Sequence, residues 1–388
     1  MKKYTLLLAL ITSLFLSNCK QDKMDPLLPS SHRPSAARVG IEAAPAKQWD
    51  LTKGGTGQDM ITSTTTWWNG NIILGGYSDS PATGDKQSNP AYGGLDYWII
   101  QLEPNGTLLG RKTLGGSGDD YLTAVATGTD RGLLVGGYSN SSFSQYKSEP
   151  CRGSMDYYIV KLSAGGMVQW NRTLGGSKQD VLSSIVATSD GGFLLAGSSA
   201  SPAGGDKTQN SQGGLDYWVV KIDAKGNKQW DKTIGGPNDD HLTSLVATND
   251  GGFLLGGYSL SGLGGDKSRP GNGRQDVWFV KIDANGRKLW DKSFGGDGAD
   301  MIAENSIVKT ADGGFVLGGY THIENDPYQG ALNLCWVYRI DANGNEVWLQ
   351  GLGQGTWFSL LRLLPHLTGV FWREVRCPSV ATTWIIGS

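Results

Sequence analysis

Gly-Gly pairs stand at Gly54-Gly55, Gly115-Gly116, Gly175-Gly176, Gly235-Gly236 and Gly295-Gly296, so successive pairs are 61, 60, 60 and 60 residues apart. A repeat this regular overrides a domain count based on length. Each copy is one supersecondary unit that buries its apolar face only against its neighbours. The copies are plain to the eye: "VLSSIVATSDGGFLLAGSS" beside "HLTSLVATNDGGFLLGGYS", and "DYWVVKIDAKGNKQWDKTIGG" beside "DVWFVKIDANGRKLWDKSFGG".

Each unit reads as four strands. One like His241 to Thr248 passes through Asn-Asp-Gly-Gly into a second, Phe253 to Ser259. Asp-Gly between apolar runs is a hairpin signal, because Gly accepts the positive φ of a tight turn. A polar loop of about fifteen residues follows. It leads to a third strand like Asp216 to Asp223, and Ala-Lys-Gly-Asn turns the chain into a fourth, Lys228 to Thr233. Along the third strand Trp218, Val220 and Ile222 face one side and Tyr217 and Val219 the other, so the sheet is predicted to be packed on both faces. Four-stranded sheets buried on both faces and repeated in tandem suit an all-β propeller. A β-solenoid has a shorter period, and helical periodicity is absent. Five blades are expected in the reading frame. Lys47 to Gly55 has the pattern of a fourth strand, so an incomplete sixth blade is expected as well.

Composition agrees. Gly is 58 of 388 residues and charged residues are 18%, against usual shares of roughly 7% and 25%. With 14 Trp and 14 Tyr, the chain is turn-rich and aromatic-rich, not disordered. A formal net charge of −2 without a basic block argues against nucleic acid as a partner. Cys19, Cys151, Cys335 and Cys377 form no CxxC or Cys/His cluster, so neither a zinc site nor a disulfide framework is indicated.

"TLGGSGDDYLTAVATGTDRGLLVGGYS" and its siblings resemble the bacterial β-propeller repeat called SBBP, over Lys47 to about Leu352. The resemblance implies the propeller fold and is almost silent on function. "VKIDAKGNKQW" also resembles the quinoprotein propeller repeat, which implies that Trp170, Trp230, Trp290 and Trp348 pack between blades. The unrepeated acidic cluster and calcium site of a quinone enzyme are not found in the sequence, so no cofactor is expected.

The first segment, "MKKYTLLLALITSLFLSNC", has two lysines, an apolar run from about Leu6 to Leu16, and Cys19. The run is shorter than the ~20 residues of a membrane span and has the layout of a secretory signal, residues 1–19. Its end resembles the bacterial lipobox, which implies lipidation of Cys19. Residues 20–46, with Pro26, Pro29, Pro34 and Pro45, form a predicted tether. The expected location is outside the cytoplasm, lipid-anchored at the outer membrane or cell surface.

Gly84-Asp85-Lys86, Gly205-Asp206-Lys207 and Gly265-Asp266-Lys267 recur in the long loops, with "SQYK" in blade two, and Tyr77, Tyr138, Tyr258 and Tyr320 precede those loops. Function favours loops on a rigid scaffold, so these Asp, Lys and Tyr residues are the candidate ligand surface. The acidic pairs Asp119-Asp120 and Asp239-Asp240, with single Asp59, Asp180 and Asp300 in the matching slot, follow the Gly-Gly pairs in every unit, which suits a turn-capping carboxylate better than one catalytic pair. "DANGN" and "DANGR" brings Gly too early for a calcium loop and suits an Asn-Gly turn. His32, His241, His322 and His366 make no metal or triad spacing. The expectation is therefore a non-enzymatic, membrane-anchored platform for a protein or a glycan. The alternatives are a truncated remnant of a larger secreted protein or, less favoured, a quinoprotein-like or hydrolytic propeller enzyme.

After about Gln354 the pattern vanishes, and residues 354–388 read as an out-of-frame tail. Taking the last base of each codon with the first two of the next, Trp384-Ile385 must give Asp, and Thr383 to Gly387 then permits Leu-Asp-Tyr-Trp, the words at Leu95–Trp98 and Leu215–Trp218. The same shift from Leu364 to Cys377 permits Ala-Thr-Ser-Asp-Gly-Gly-Phe-Leu-Ala-Gly-Ser-Ser-Val-Ser. On this reading Trp357, Phe358 and Leu360 to Leu364 carry no functional information, and the last in-frame blade shows an apolar face that lowers solubility. Sequencing the coding DNA is expected to return repeat words in the shifted frame, and a frame-corrected product is expected to be the more soluble of the two. A shifted frame without repeat words would refute the reading.

Overall fold

The hairpin turn sets the unit. In Thr248–Gly252 the Thr248 amide donates to the Gly252 carbonyl at 2.9 Å, Gly251 takes φ +80°, and the Asp250 carboxylate accepts the Gly252 amide at 3.1 Å. Gly191 and Gly313 repeat that positive φ, and blade two places Arg131 there at φ +66°. Lys281 on the third strand donates to Asp250 at 2.8 Å, as Lys161 does to Asp130 at 2.7 Å, Lys221 to Asp190 at 2.8 Å, and Arg339 to Asp312 at 2.6 Å. The turn thus closes one hairpin and ties it to the next strand.

The structure is a computed structural model that describes residues 52–86, 91–144, 146–326, 330–354, 363–366 and 369–372. Blade one comprises β1 (Asp59–Thr66), β2 (Ile72–Ser78), β3 (Asp96–Leu102) and β4 (Leu108–Leu114). Blade two is β5 (Asp120–Thr127), β6 (Leu133–Ser139), β7 (Asp156–Leu162) and β8 (Val168–Leu174). Blade three is β9 (Asp180–Ala187), β10 (Phe193–Ser199), β11 (Asp216–Ile222) and β12 (Lys228–Ile234), and blade four is β13 (Asp240–Ala247), β14 (Phe253–Ser259), β15 (Asp276–Ile282) and β16 (Lys288–Phe294). In blade five the first strand is split into β17 (Ala299–Ile302) and β18 (Val308–Lys309), followed by β19 (Phe315–Asp326), β20 (Gly330–Ile340) and β21 (Glu346–Gln354). All are antiparallel meanders in sequence order. A two-stranded hairpin, β22 (Leu363–His366) with β23 (Gly369–Trp372), comes after them. The all-β architecture of four-stranded blades expected from the repeat is the one found. The signal segment with Cys19, the tether, Lys47 to Leu51 and most of the tail, Trp357 and Phe358 included, lie outside the described residues.

Every residue of β7, β11 and β15 is buried. The two faces serve different neighbours: Trp218, Val220 and Ile222 join Leu134, Tyr157 and Ile159 of blade two, while Tyr217 and Val219 join Leu255, Trp278 and Val280 of blade four. Two further clusters join blades one to two and four to five. Each large apolar side chain so buried contributes about 1.5–3 kcal/mol. The hydroxyls are satisfied across the same seams, Tyr97 donating to the Tyr158 carbonyl at 2.7 Å, Tyr157 to Trp218 at 2.9 Å and Tyr217 to Trp278 at 3.0 Å.

The fourth strands meet the following blade through a Trp-on-Gly contact. A Cβ on Gly226 would lie 2.9 Å from the Trp170 ring, one on Gly286 2.8 Å from Trp230, and one on Gly344 2.6 Å from Trp290. These three tryptophans therefore pack between blades as expected. Trp348 instead is 39% exposed. Blade one has Gly110 at the tryptophan position, and no atom comes within 4 Å of a Cβ on its counterpart Gly166.

Trp230→Ala is expected to cost about 2 kcal/mol, less than the roughly 3–5 kcal/mol of a fully buried tryptophan, because the ring is only partly buried. Gly110→Trp is expected to raise the thermal midpoint by filling the vacant seat over Gly166. Calorimetry on both variants checks this; a fall in midpoint for Gly110→Trp would contradict the contact's role.

Candidate functional site

The loop residues singled out in the sequence turn inward. Lys86, Lys207 and Lys267 are 0%, 3% and 2% exposed, and Lys147 of the "SQYK" loop, at 0%, takes the equivalent place. Lys207 donates to Ser199 Oγ at 2.8 Å, the Ser201 carbonyl at 2.9 Å and Ser211 Oγ at 2.7 Å. Lys267 donates to Ser259 Oγ at 2.8 Å, and Lys147 to Thr173 Oγ1 at 2.7 Å. Lys86 lies over the Trp98 ring at 5.5 Å. Burial pulls the Lys207 ammonium down to about 8 against the pull of Asp180 and Asp216. A ligand at the loop surface does not meet these ammonium groups.

The neighbouring aspartates fasten the loops to the preceding Gly-Gly pair. Asp85, Asp206 and Asp266 accept the amides of Gly54, Gly175 and Gly235 at 3.1, 3.2 and 3.2 Å. Asp206 also holds Arg152, and Asp266 accepts Gln212 Nε2 at 2.6 Å. Asp266 additionally lines an open cleft of about 280 Å³ with Thr233, Asn285 and Lys288, at the seam of blades three and four.

The recurring aspartate after each Gly-Gly pair caps that turn. Asp59, Asp120, Asp180, Asp240 and Asp300 accept the second glycine's amide at 2.7–2.9 Å. A second buried set, Asp96, Asp156, Asp216 and Asp276, stands at the start of the third strands of blades one to four, one oxygen of each without a hydrogen bond. Burial is the largest influence on these carboxyls; together with the carboxylates of Asp120, Asp180 and Asp240 across the seam it pushes Asp96 up to about 7 and Asp156 and Asp216 up to about 6. In "DANGR" the Asp283 carboxylate accepts the amides of Asn285 and Arg287, both at 2.9 Å, which is the turn the letters predict.

The tyrosines lead elsewhere. Each first strand of blades one to four carries a bulge, at Thr62, Thr123, Ser183 and Thr243. A bulge frees a backbone carbonyl from the ladder. In blade five the bulge is two residues longer, Asp300 to Asp312 against Asp240 to Asp250, and the extra pair is Glu304-Asn305. Asn305, at φ +50°, donates its amide N–H to the Thr243 carbonyl at 3.0 Å and its side-chain nitrogen to the Thr123 and Ser183 carbonyls, each at 3.4 Å. One residue of blade five thus touches blades two, three and four, so the first strands converge on a common axis.

Around that axis the register pairs are Met60 with Tyr77, Tyr121 with Tyr138, Val181 with Ser198, His241 with Tyr258 and Met301 with Tyr320. Ring centroids are 5.1 Å apart for Tyr77 and Tyr121, 4.9 Å for Tyr121 and Tyr138, and 4.7 Å for His241 and Tyr258. Glu304 is exposed, and its charge reaches Tyr77, Tyr138 and Tyr258 from three different blades. Burial first, then these neighbours, push Tyr138 up to about 12. Burial also pulls His241 down, leaving it neutral near pH 7. The structure therefore gathers Tyr77, Tyr138, Tyr258 and Tyr320, and separates them from the Asp-Lys loops with which the sequence grouped them. Glu304 was missed; aligning blade five against blade four shows the extra pair.

No family model matches the chain. A regulatory protein, FlaEY of Caulobacter vibrioides, is 26% identical over 204 residues, 50% of this chain and 20% of that protein, so the match spans about a fifth of the relative. Among solved structures, Kuenenia stuttgartiensis hydrazine synthase is similar at a TM-score of 0.45 and 12% identity, over 80% of this chain and 73% of that one. The apocarotenoid oxygenase of Synechocystis is similar at 0.41 and 11%, over 83% and 66%. Both are enzymes. They correct the expectation that this chain is not one, and that expectation is not kept. At this likeness they carry no further argument about this chain.

A carboxyl held above its unfolded range near 3.9 binds its proton more tightly in the folded state, so its contribution to stability is complete below that range and lost as pH rises through the folded value. Asp96, Asp156 and Asp216 thus favour the fold most near pH 4 and lose that contribution by about pH 7. Asp190 and Asp250, held down at about 2 chiefly by Lys221 and Lys281, act oppositely, contributing above about pH 4 and failing as pH falls toward 2. The thermal midpoint is expected to peak between about pH 4 and 5, and Asp216→Asn to flatten its decline toward pH 7. A midpoint that rises from pH 5 to 7 would contradict this assignment.

Proposed function

We propose that this chain is an exported, membrane-anchored propeller that presents a binding platform for a protein or glycan partner, with the ligand seated at the axial mouth around Glu304. One observation carries the reading. Four blades repeat their first hairpin with a single bulge, and the fifth departs from it by two residues that bring a free carboxylate among tyrosines of three other blades. Repeated features are accounted for by blade construction, whereas an unrepeated one on a rigid repeat scaffold is where recognition is built. Aromatic side chains with polar tips supply large contact area at low conformational cost. The two lysines, apolar run and Cys19 at the N-terminus support export and anchoring.

Full-length chain immobilised through its N-terminus and exposed to a glycan array and to cell-surface protein fractions is expected to capture a partner. Glu304→Gln and Tyr258→Leu should each weaken that capture about tenfold or more, about 1.4 kcal/mol per tenfold, while Asp283→Asn at a remote turn leaves it unchanged. Capture indifferent to the mouth variants would overturn the axial seat. Radiolabelled palmitate is expected in the wild-type chain and not in Cys19→Ser.

A further inference from the structure

We propose that the axial mouth selects an organic cation of quaternary ammonium size, which names the ligand chemistry of the seat described above and rests on that reading. The wall is aromatic: Tyr121 stacks on Tyr138 with planes 23° apart, Tyr77 meets Tyr121 edge-on at 74°, and His241 stacks on Tyr258 at 19°. Aromatic faces carry negative potential and attract a cation within about 6 Å, by about 0.5–2 kcal/mol for each ring.

Charge points the same way. The charged side chains acting on these rings are acidic: Glu304 on Tyr77, Tyr138 and Tyr258, Asp119 on Tyr121, Asp239 on Tyr258, and Asp239 with Asp240 on His241. Glu304 makes no hydrogen bond or ion pair among the described residues, while the lysines of the nearby loops are committed inside their blades. Among the described residues the mouth therefore sets the Glu304 carboxyl group beside aromatic rings, with no cation paired to it.

The lining separates an organic cation from a metal ion. Blade three contributes Val181 and Ser198 where blades one, two, four and five contribute a tyrosine. The backbone carbonyls of the three bulges at Thr123, Ser183 and Thr243 are taken up by Asn305. A bulky, weakly hydrated cation fits such a wall better than a small metal ion, which demands several oxygen ligands.

The test is titration calorimetry of the intact chain with choline and with its neutral isostere 3,3-dimethylbutan-1-ol. Choline is expected to bind at least about tenfold more tightly than the isostere. Glu304→Gln should weaken choline about tenfold, Tyr258→Leu should weaken it similarly, and Tyr258→Phe, which keeps the ring face, should stay within about threefold of the wild type. Thermal midpoints within a few degrees of wild type would exclude unfolding as the cause, and Tyr258→Phe serves as the folded control if Tyr258→Leu is unstable. Equal binding of choline and isostere would overturn the cation inference. So would choline binding indifferent to Glu304→Gln and Tyr258→Leu, or no choline binding at all. If choline fails while the same variants still abolish capture of a protein or glycan, the platform reading survives and only the ligand class falls; if both fail, the seat itself is wrong.

Discussion

The third strand of each blade is buried on both faces, and everything else in the molecule follows from having to cover it. A lone four-stranded sheet of this composition would leave Trp218, Val220 and Ile222 in water on one side and Tyr217 and Val219 on the other. Each neighbouring blade hides one of those faces, so no blade is stable on the evidence of its own contacts, and stability is shared along the row as in other repeat proteins. The Trp-on-Gly contact extends the same dependence to the outer strands, where a glycine in the following blade leaves room for the indole.

Packing of that kind fixes distance but not register, and the register is set by polar groups. Asp120 and its equivalents take the amide of the second glycine in each Gly-Gly pair, Asp206 and Asp266 take the amide of the first glycine of the same pair, and Lys207 or Lys267 occupies the interior beside serine oxygens. Buried charges are tolerated when they are hydrogen-bonded or neutralised. Blades two to four each bury a turn-capping and a third-strand aspartate for one loop ammonium, and the imbalance is met by a proton that Asp156 and Asp216 keep well above the usual carboxylate range, as Asp96 does in blade one. The same residues that specify the fold therefore make its stability depend on pH.

The strands, their order and both faces of β11 were legible because they repeat, and because hairpin turns and alternation have direct residue signatures. Trp170, Trp230 and Trp290 could be assigned for the same reason. What could not be read was the direction of side chains at strand ends. Lys207 follows a polar loop and has the letters of a solvated residue, yet it enters the blade because Ser199, Ser201 and Ser211 offer it oxygens. In blade four Tyr258 precedes the equivalent Lys267 by nine residues but leaves toward the axis, while its neighbour Ser259 accepts from Lys267, since adjacent strand residues point to opposite sides. The Glu304-Asn305 pair was visible only as a difference in length between copies, a signal easily lost when attention is on what the copies share.

Asn305 spans a fixed gap. Its three carbonyl partners belong to blades two, three and four, so its reach measures the width of the space they enclose. Tandem sheets of this kind are free to gain or lose copies by duplication, since every seam is made of the same parts. Inserting one more copy between blades two and four would spread those carbonyls beyond the span of a single asparagine. The longer bulge of blade five thus acts as a ruler: it ties an otherwise open-ended series to one diameter, and lineages that kept it would be constrained in copy number while those lacking it would not.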